Sequence, residues 1–197
     1  MKKVVDCVDN LSMSMAIIHQ MDQMRYLYRT DESGKSQYKG RAAVKIEFIN
    51  PFVKAAIDVL RSESGGDVER GKLRLETSPS SSHDIAVMIG ITGNAKGIVL
   101  YGMSLQTGKD IVSKMMGQPC DEFDALAQSG IAEMGNVITG LASRGLSENG
   151  YQCNITPPTL IVGSNTTIGT LDIPRIALPL ITSCGEVEIH LALTETP

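Results

Sequence analysis

The 197-residue chain has no long apolar run and no excess of positive charge. A membrane-spanning helix needs roughly 18 consecutive apolar residues, and no stretch approaches that length. Lysine and arginine number 18 against 22 aspartates and glutamates, so the net charge is −4 at pH 7. Nucleic acid and anionic membrane surfaces bind basic patches, and we therefore expect neither as a partner. Asp6 and Asp9 interrupt the segment after Lys2 and Lys3, so we predict no signal peptide and a cytoplasmic protein.

Cysteine and histidine are few and scattered. The four cysteines lie at positions 7, 120, 153 and 184, without C-x-x-C spacing, and the three histidines lie at 19, 83 and 190. This spacing does not predict a zinc site, although residues far apart in sequence can meet in space. We expect reduced thiols that pack as small apolar side chains, and no metal or cofactor of the chain's own.

The stretch from Gly102 to Asp110 has the outline of a phosphate-binding loop but not its spacing. It has one residue too many between the glycines, and Asp110 stands where such a loop needs a hydroxyl for magnesium. We interpret Ser104 as the cap of an ordinary helix that runs to Met116.

With 42% hydrophobic and 20% charged residues, the composition is typical of a globular protein, and it divides into two regions. Residues 1–44 hold five of the ten methionines. Apolar spacing predicts an amphipathic helix over residues 10–28, and a polar linker follows from Thr30 to Gly40. This N-terminal extension is either a docking helix for a partner or a loosely packed appendage. The main domain spans residues 45–197.

The main domain alternates helices with groups of strands. Asn50 followed by Pro51 predicts a helix start with Asn50 as the cap, and a long helix is predicted from about Asp121 to Ser147. Strands are predicted at 72–76, 84–91, 95–101, 152–156, 159–162, 175–182 and 187–193. Their connections are too short for parallel crossovers, so we predict an α+β domain with a largely antiparallel sheet covered by long helices. Pro179 cannot donate to a ladder, which places its strand at an edge or beside a bulge.

The long helix has two contrasting faces. Its apolar face, predicted to be buried, consists of Phe123, Ala127, Ile131, Met134, Val137, Ile138 and Leu141. Ser129, Glu133, Asn136 and Gly140 lie together on the other side, with Glu133 and Asn136 one turn apart. A glycine inside a helix costs about 1 kcal/mol relative to alanine, and a partner that approaches closely would give Gly140 a purpose. On pattern alone, an acid and an amide on a solvated face are also common surface residues.

The sequence around this face resembles the CheX branch of the CheC/CheX/FliY family of bacterial chemotaxis phosphatases. The matching segments are IAEMGNVITG at 131–140, ITPPT at 155–159, INPF at 49–52, KGIVLYGM at 96–103 and GEVEIHLAL at 185–193. The family pattern has an acidic residue or serine, then Glu, Asn and a later proline. Ser129, Glu133, Asn136 and Pro158 match it, the proline to within about a residue. The resemblance covers about residues 45–197 and implies a CheC-like fold.

The resemblance implies an enzyme that dephosphorylates the aspartyl-phosphate of a CheY-like response regulator and so terminates a chemotaxis signal. Glu133 would pair with a lysine of the regulator, and Asn136 would orient a water for in-line attack. Ser129 and Gly140 would contact the regulator. Mg²⁺ would belong to the regulator's acidic pocket, so this chain would need no metal. CheX relatives pair through their sheets, and a homodimer is therefore implied.

Glu47 and Asn50 repeat the same spacing near the first helix. The residue before a proline avoids helical geometry, so we expect Asn50 to cap the helix, Glu47 to lie outside it, and the site at Glu133 and Asn136 to be the only one. Two alternatives to an enzyme remain. One is a non-catalytic module that docks on receiver domains or flagellar switch proteins, and the other is a structural domain without a receiver partner.

Overall fold

The structure is a computed structural model and describes residues 46–76, 83–164, 168 and 175–196. The extension predicted for residues 1–44 lies outside the described residues, so its helix and linker stay predictions. Among the described helices, none combines the length and the apolar composition that crossing a membrane requires.

Three helices and eight strands form within the described residues. In chain order they are α1 (Ile46–Ser64), β1 (Glu69–Arg70), β2 (Arg74–Glu76), β3 (Ile85–Gly93), β4 (Ala95–Met103), α2 (Leu105–Met116), α3 (Ala125–Glu148), β5 (Cys153–Ile155), β6 (Thr159–Val162), β7 (Arg175–Thr182) and β8 (Gly185–Glu195).

The strands join one antiparallel sheet with the order β1-β7-β8-β4-β3-β5. Strand β2 also pairs with β7, next to β1, and β6 also pairs with β3, next to β5. Tight turns join two pairs of consecutive strands, at Asn94 between β3 and β4 and at Ser183-Cys184 between β7 and β8. The predicted α+β architecture with an antiparallel sheet is confirmed.

The three helices pack on one face of the sheet and on each other. Helix α3 contacts α1 and α2 and lies over β3, β5 and β6. Fully buried side chains such as Phe52, Ile89 and Ile111 fill the space between the layers. Burial of one such side chain stabilises the fold by about 1.5–3 kcal/mol, so this interface dominates the stability of the domain.

Helix α1 begins earlier than the sequence predicts. It starts at Ile46 and contains Asn50 and Pro51, so the prediction that Asn50 caps the helix and that Glu47 lies outside it is wrong. Phe48 and Ile49, which precede the proline, are fully buried. Their burial holds this turn in helical geometry against the local preference of the residue before a proline.

Strand β7 is not an edge strand, because β1 and β2 pair with it on the side away from β8. Pro179 faces the interruption between these two short strands, where the Gly71 amide donates to the Pro179 carbonyl over 2.8 Å. The backbone nitrogen and carbonyl of a strand residue point the same way, so the missing N–H of Pro179 falls in this gap. Pro179 thus lies beside an interruption in the strand pairing, and the alternative prediction that its strand lies at an edge of the sheet is wrong.

Candidate active site

Helix α3 carries the predicted site residues and starts at a well-formed cap. Asp124 has extended backbone geometry, and its carboxylate accepts a hydrogen bond of 2.9 Å from the Ala127 amide. The helix therefore begins at Ala125, not at Asp121, and Phe123 lies before it. A carboxylate cap also interacts favourably with the positive end of the helix dipole.

The rotation of α3 about its axis is fixed by a close contact with the sheet. A Cβ atom at Gly135 would lie 2.8 Å from Val87 Cγ1, so only glycine lets the helix approach this near. Beside it, the hydroxyls of Tyr101 and Thr139 form a buried hydrogen bond of 2.9 Å. Thr139 also donates to the Gly135 carbonyl over 2.8 Å. Together these contacts set which side chains of the helix face away from the sheet.

The buried face of α3 is therefore rotated from the predicted one. Val137 and Leu141, both predicted to be buried, are about two-fifths exposed at 41% and 40%. Gly135, Thr139, Ala142 and Leu146 are buried, along with the correctly predicted Ala127, Ile131, Met134 and Ile138. Small residues such as Gly135 and Ala142 are buried where the sequence predicts Val137 and Leu141. Val137 and Leu141 consequently lie beside the solvent-facing side of the helix.

Glu133 and Asn136 meet on the solvent-facing side of α3. The Asn136 Nδ2 atom donates to Glu133 Oε2 over 3.3 Å, a long and exposed hydrogen bond. Glu133 is exposed and Asn136 is half-buried. The structure thus brings together, within reach of solvent, a carboxylate that can bind a cation and an amide that can both donate and accept hydrogen bonds.

Ser129 and Gly140 lie on the same side, on either side of this pair. The Ser129 hydroxyl donates to the Ala125 carbonyl one turn earlier, over 2.8 Å. A Cβ atom at Gly140 would meet no other atom within 4 Å. Packing within the described residues therefore gives no reason for a glycine at position 140, in contrast to Gly135.

The loop that contains Pro158 joins β5 to β6, the two strands at the edge of the sheet that α3 covers. Thr156 anchors it, because its hydroxyl accepts from the Gly90 amide over 2.9 Å. On the helix side, the Ser143 hydroxyl donates to the Cys153 carbonyl over 3.2 Å. The loop is thus tied both to the sheet and to the helix that carries Asn136.

The second pair with this spacing, Glu47 and Asn50, lies within α1. Glu47 is exposed, but Asn50 is half-buried, and its Oδ1 atom is buried without a hydrogen-bond partner. A Cβ atom added at Gly145 of α3 would lie only 3.0 Å from the Cβ atom of Pro51, so this turn of α1 packs closely against α3. The expectation that Pro51 keeps Asn50 and Glu47 out of the helix is wrong, but the buried amide oxygen of Asn50 gives a different reason to discount this pair.

The structure contains a second polar cluster, formed by His83, Glu188 and His190, which the spacing of residues in the sequence does not predict. Alternation along β8 is its only sequence signal, since Glu188 and His190 are two residues apart and share a face of the sheet. His83 lies more than a hundred residues earlier in the chain, and only the fold brings it there.

The family model for chemotaxis phosphatase CheX matches residues 85–180. The CheY-P phosphatase CheX of Thermotoga maritima is 29% identical over 147 residues, which are 74% of this chain and 94% of that protein.

Solved structures give the same result. A CheC-like superfamily protein from Shewanella sp. PV-4 is 26% identical with a TM-score of 0.71, over 76% of this chain and 99% of that one. CheX in the CheX–CheY–BeF₃–Mg²⁺ complex from Borrelia burgdorferi is 27% identical with a TM-score of 0.67, over 77% and 100% of the two chains. The matched segment contains the Glu133/Asn136 helix and most of the sheet. Over most of residues 45–197, this chain is therefore similar in sequence and in fold to the chemotaxis phosphatase CheX and to CheC-like proteins.

Proposed function

We propose that this protein hydrolyses the aspartyl-phosphate of a CheY-like response regulator and thereby ends a chemotaxis signal. The observation that carries the proposal is the Glu133/Asn136 pair, exposed on a helix whose rotation the Tyr101–Thr139 hydrogen bond fixes. Two relatives support it: the Thermotoga protein is a CheY-P phosphatase, and the Borrelia protein is seen bound to CheY with BeF₃ and Mg²⁺.

Asn136 is the residue that we assign to the chemistry. Phosphoryl transfer has a loose transition state, so catalysis depends mainly on positioning and electrostatics and not on a strong base. An amide can accept a hydrogen bond from a water with its oxygen and donate one to a phosphoryl oxygen with its nitrogen. Fixed on a helix, Asn136 would hold the water in line with the breaking P–O bond, which removes much of the entropic cost of the attack.

Glu133 is the residue that we assign to docking. Its carboxylate would pair with a cationic side chain beside the phosphoaspartate of the regulator. In the free protein it accepts the 3.3 Å hydrogen bond from Asn136. Because that bond is long and solvent-exposed, little free energy is lost when Glu133 turns to the regulator. Its release would leave the Asn136 amide free for water and phosphate.

The surface around the pair suits a protein partner. Gly140 keeps the backbone accessible one turn beyond Asn136, and Ser129 lies one turn before Glu133. Val137 and Leu141, two-fifths exposed, add apolar area directly beside the polar pair. We assign this combination of a polar centre and an apolar border to the contact with the receiver domain.

The test is the rate of dephosphorylation of a phosphorylated CheY-like regulator by the wild type and by Asn136→Ala, Glu133→Ala and Asn50→Ala. We expect Asn136→Ala to lose turnover while still binding the regulator in its BeF₃ form. Glu133→Ala should chiefly weaken that binding. Asn50→Ala is the matched control from α1 and should turn over like the wild type.

The outcomes separate the competing functions. Wild-type turnover in Asn136→Ala would refute the role of its amide. Binding without turnover in the wild type would establish the alternative, a non-catalytic module that docks on receiver domains or flagellar switch proteins. Absence of both would leave a structural domain.

Three further properties belong to this proposal. Mg²⁺ would be supplied by the regulator, which the Borrelia complex with Mg²⁺ supports. The cytoplasm is the expected location, because receiver domains act there. A homodimer rests on the resemblance to CheX relatives alone, since β7 offers no open edge. Sedimentation equilibrium over a wide concentration range tests the dimer, and a monomer mass throughout would exclude it.

A further inference from the structure

His83, Glu188 and His190 converge on the face of the sheet opposite to the helices. The register pairs Tyr101, which contacts α3, with Ile189, so Glu188 and His190 on either side of Ile189 point the other way. His83 reaches them from just before β3. Among the described residues, no helix packs on this face. The cluster is therefore separate from the Glu133/Asn136 site.

Three ligand atoms of this cluster lie at the spacing of a metal coordination shell. Glu188 Oε2 is 3.1 Å from His83 Nε2 and 3.0 Å from His190 Nε2, and the two nitrogens are 3.4 Å apart. With bonds of about 2.0–2.1 Å to zinc, two ligands at a tetrahedral angle lie about 3.3 Å apart. One ion could thus contact all three atoms with shifts of a few tenths of an ångström.

The other ring nitrogen of His190 gives an independent indication. His190 is only 3% exposed, and its Nδ1 atom is buried without a hydrogen-bond partner. If Nε2 carries the proton and donates to Glu188, Nδ1 holds a lone pair that faces Glu76 Oε2 at 3.9 Å. A metal ion on Nε2 moves the proton to Nδ1, which then points an N–H at this carboxylate. Carboxylates commonly orient zinc-bound histidines in this way.

Charged neighbours hold the Glu188 carboxylate ready to bind. Its second oxygen, Oε1, pairs with Arg74. Burial alone would raise the pKa of the Glu188 carboxyl, but hydrogen bonds from His190 and His83 and the charge of Arg74 hold that pKa well below its ordinary value. Glu76 is fixed in turn by Arg175, whose Nη2 and Nε lie 2.7 Å and 2.9 Å from its Oε2. Ion pairs with arginine therefore fix the positions of both carboxylates, Glu188 through Arg74 and Glu76 through Arg175.

A glycine makes room for His83. Gly102 on β4 pairs with Glu188, and a Cβ atom at position 102 would overlap the His83 ring. The imidazole lies flat over this glycine and thereby reaches Glu188. His83 remains 22% exposed, which leaves a path for an ion and a place for a water as fourth ligand.

We propose that His83, Glu188 and His190 bind one divalent transition-metal ion, with zinc as the preferred ion. Two imidazole nitrogens and one carboxylate favour zinc over magnesium or calcium, which prefer oxygen ligands. The ion ties the segment before β3 to strand β8. Because the site lies across the sheet from Asn136, it is independent of the proposed phosphatase function.

The experiment titrates zinc into the full chain after the protein has been stripped with EDTA and the chelator removed. A chromophoric chelator reports the affinity, and cobalt substitution reports the geometry. We expect one site that His83→Gln weakens by at least about 100-fold, since even outer-shell changes cost 10–100-fold. Gly102→Ala should weaken it too, without removing a ligand. Glu186→Gln, on the same strand and outside the cluster, is the matched control and should bind like the wild type.

The same titration separates this site from the thiols. Cobalt bound to nitrogen and oxygen gives visible tetrahedral bands without the intense near-ultraviolet charge-transfer band of a cobalt–thiolate bond. Equal zinc affinity in the wild type and in folded His83→Gln would overturn the proposal, as would a thiolate band or the absence of binding. Turnover on phosphorylated regulator serves as a check that each variant is folded.

Discussion

Gly140 offers the sharpest test of how α3 meets its partner, because stability and activity should change in opposite directions. In Gly140→Ala, the new methyl group meets no atom within 4 Å, so nothing in the described fold resists it. Replacing a mid-helix glycine by alanine then stabilises the protein by up to about 1 kcal/mol. For a chain of this size, this corresponds to a rise in Tm of about 2–4 °C.

Activity should fall in the same variant. The methyl group projects one turn beyond Asn136, on the side where we place the receiver domain. A displacement of the docked regulator by about 1 Å can reduce turnover by about 100-fold, because in-line attack depends on alignment. We expect kcat/KM to fall by about 10- to 100-fold while urea unfolding shows a more stable protein.

Gly135→Ala is the matched control on the opposite side of the helix. Its Cβ atom would lie 2.8 Å from Val87 Cγ1 and 3.2 Å from Tyr101 Cδ2, so the helix or the sheet must shift. Overpacking of this kind costs about 1–3 kcal/mol. If Gly140→Ala keeps wild-type kcat/KM, the close approach of the partner at this position is refuted, and a loss of stability would contradict the open space around the glycine.

Three further predictions concern stability and are measured by urea unfolding. Tyr101→Phe should lower the free energy of unfolding by about 1 kcal/mol, because the buried hydrogen bond between the Tyr101 and Thr139 hydroxyls is lost while the bond from Thr139 to Gly135 remains. Asp124→Ala should cost about 1 kcal/mol through the lost cap of α3, and Asp124→Asn should restore most of it. Glu76→Ala should cost about 3 kcal/mol, because it leaves the buried Arg175 guanidinium without its carboxylate. Changes under 0.5 kcal/mol would show that these contacts do not stabilise the fold.

Elements set by local chemistry could be predicted from the sequence. The hairpin of β3 and β4 follows from alternating apolar residues around a turn with Gly93, which has φ +114°. The cap of α2 follows from Ser104, whose hydroxyl accepts from the Thr107 amide over 3.0 Å. In both cases a few neighbouring residues contain all the information that the structure uses.

Features that depend on packing between distant segments could not be predicted in this way. Apolar periodicity assigns Val137 and Leu141 to the core, but Gly135 lets the sheet contact α3 at a different angle. The short strands β1 and β2 pair with the outer edge of β7, and the sequence around Pro179 does not predict this pairing. His83 and Glu188 are in contact although they lie 105 positions apart in the sequence, and local residue spacing cannot predict such a contact.

The two helical pairs with E-x-x-N spacing show that spacing alone does not define a site of this kind. On α1, Asn50 directly precedes Pro51, which removes a backbone donor from the helix. The side-chain oxygen of Asn50 is buried. An amide in that position cannot present its acceptor to a water and its donor to a phosphate at once. On α3, Asn136 lies in an uninterrupted helix, within reach of solvent and beside an exposed carboxylate. Turnover that depends on Asn136 and not on Asn50 is therefore what the geometry requires, and the reverse result would place the site on α1.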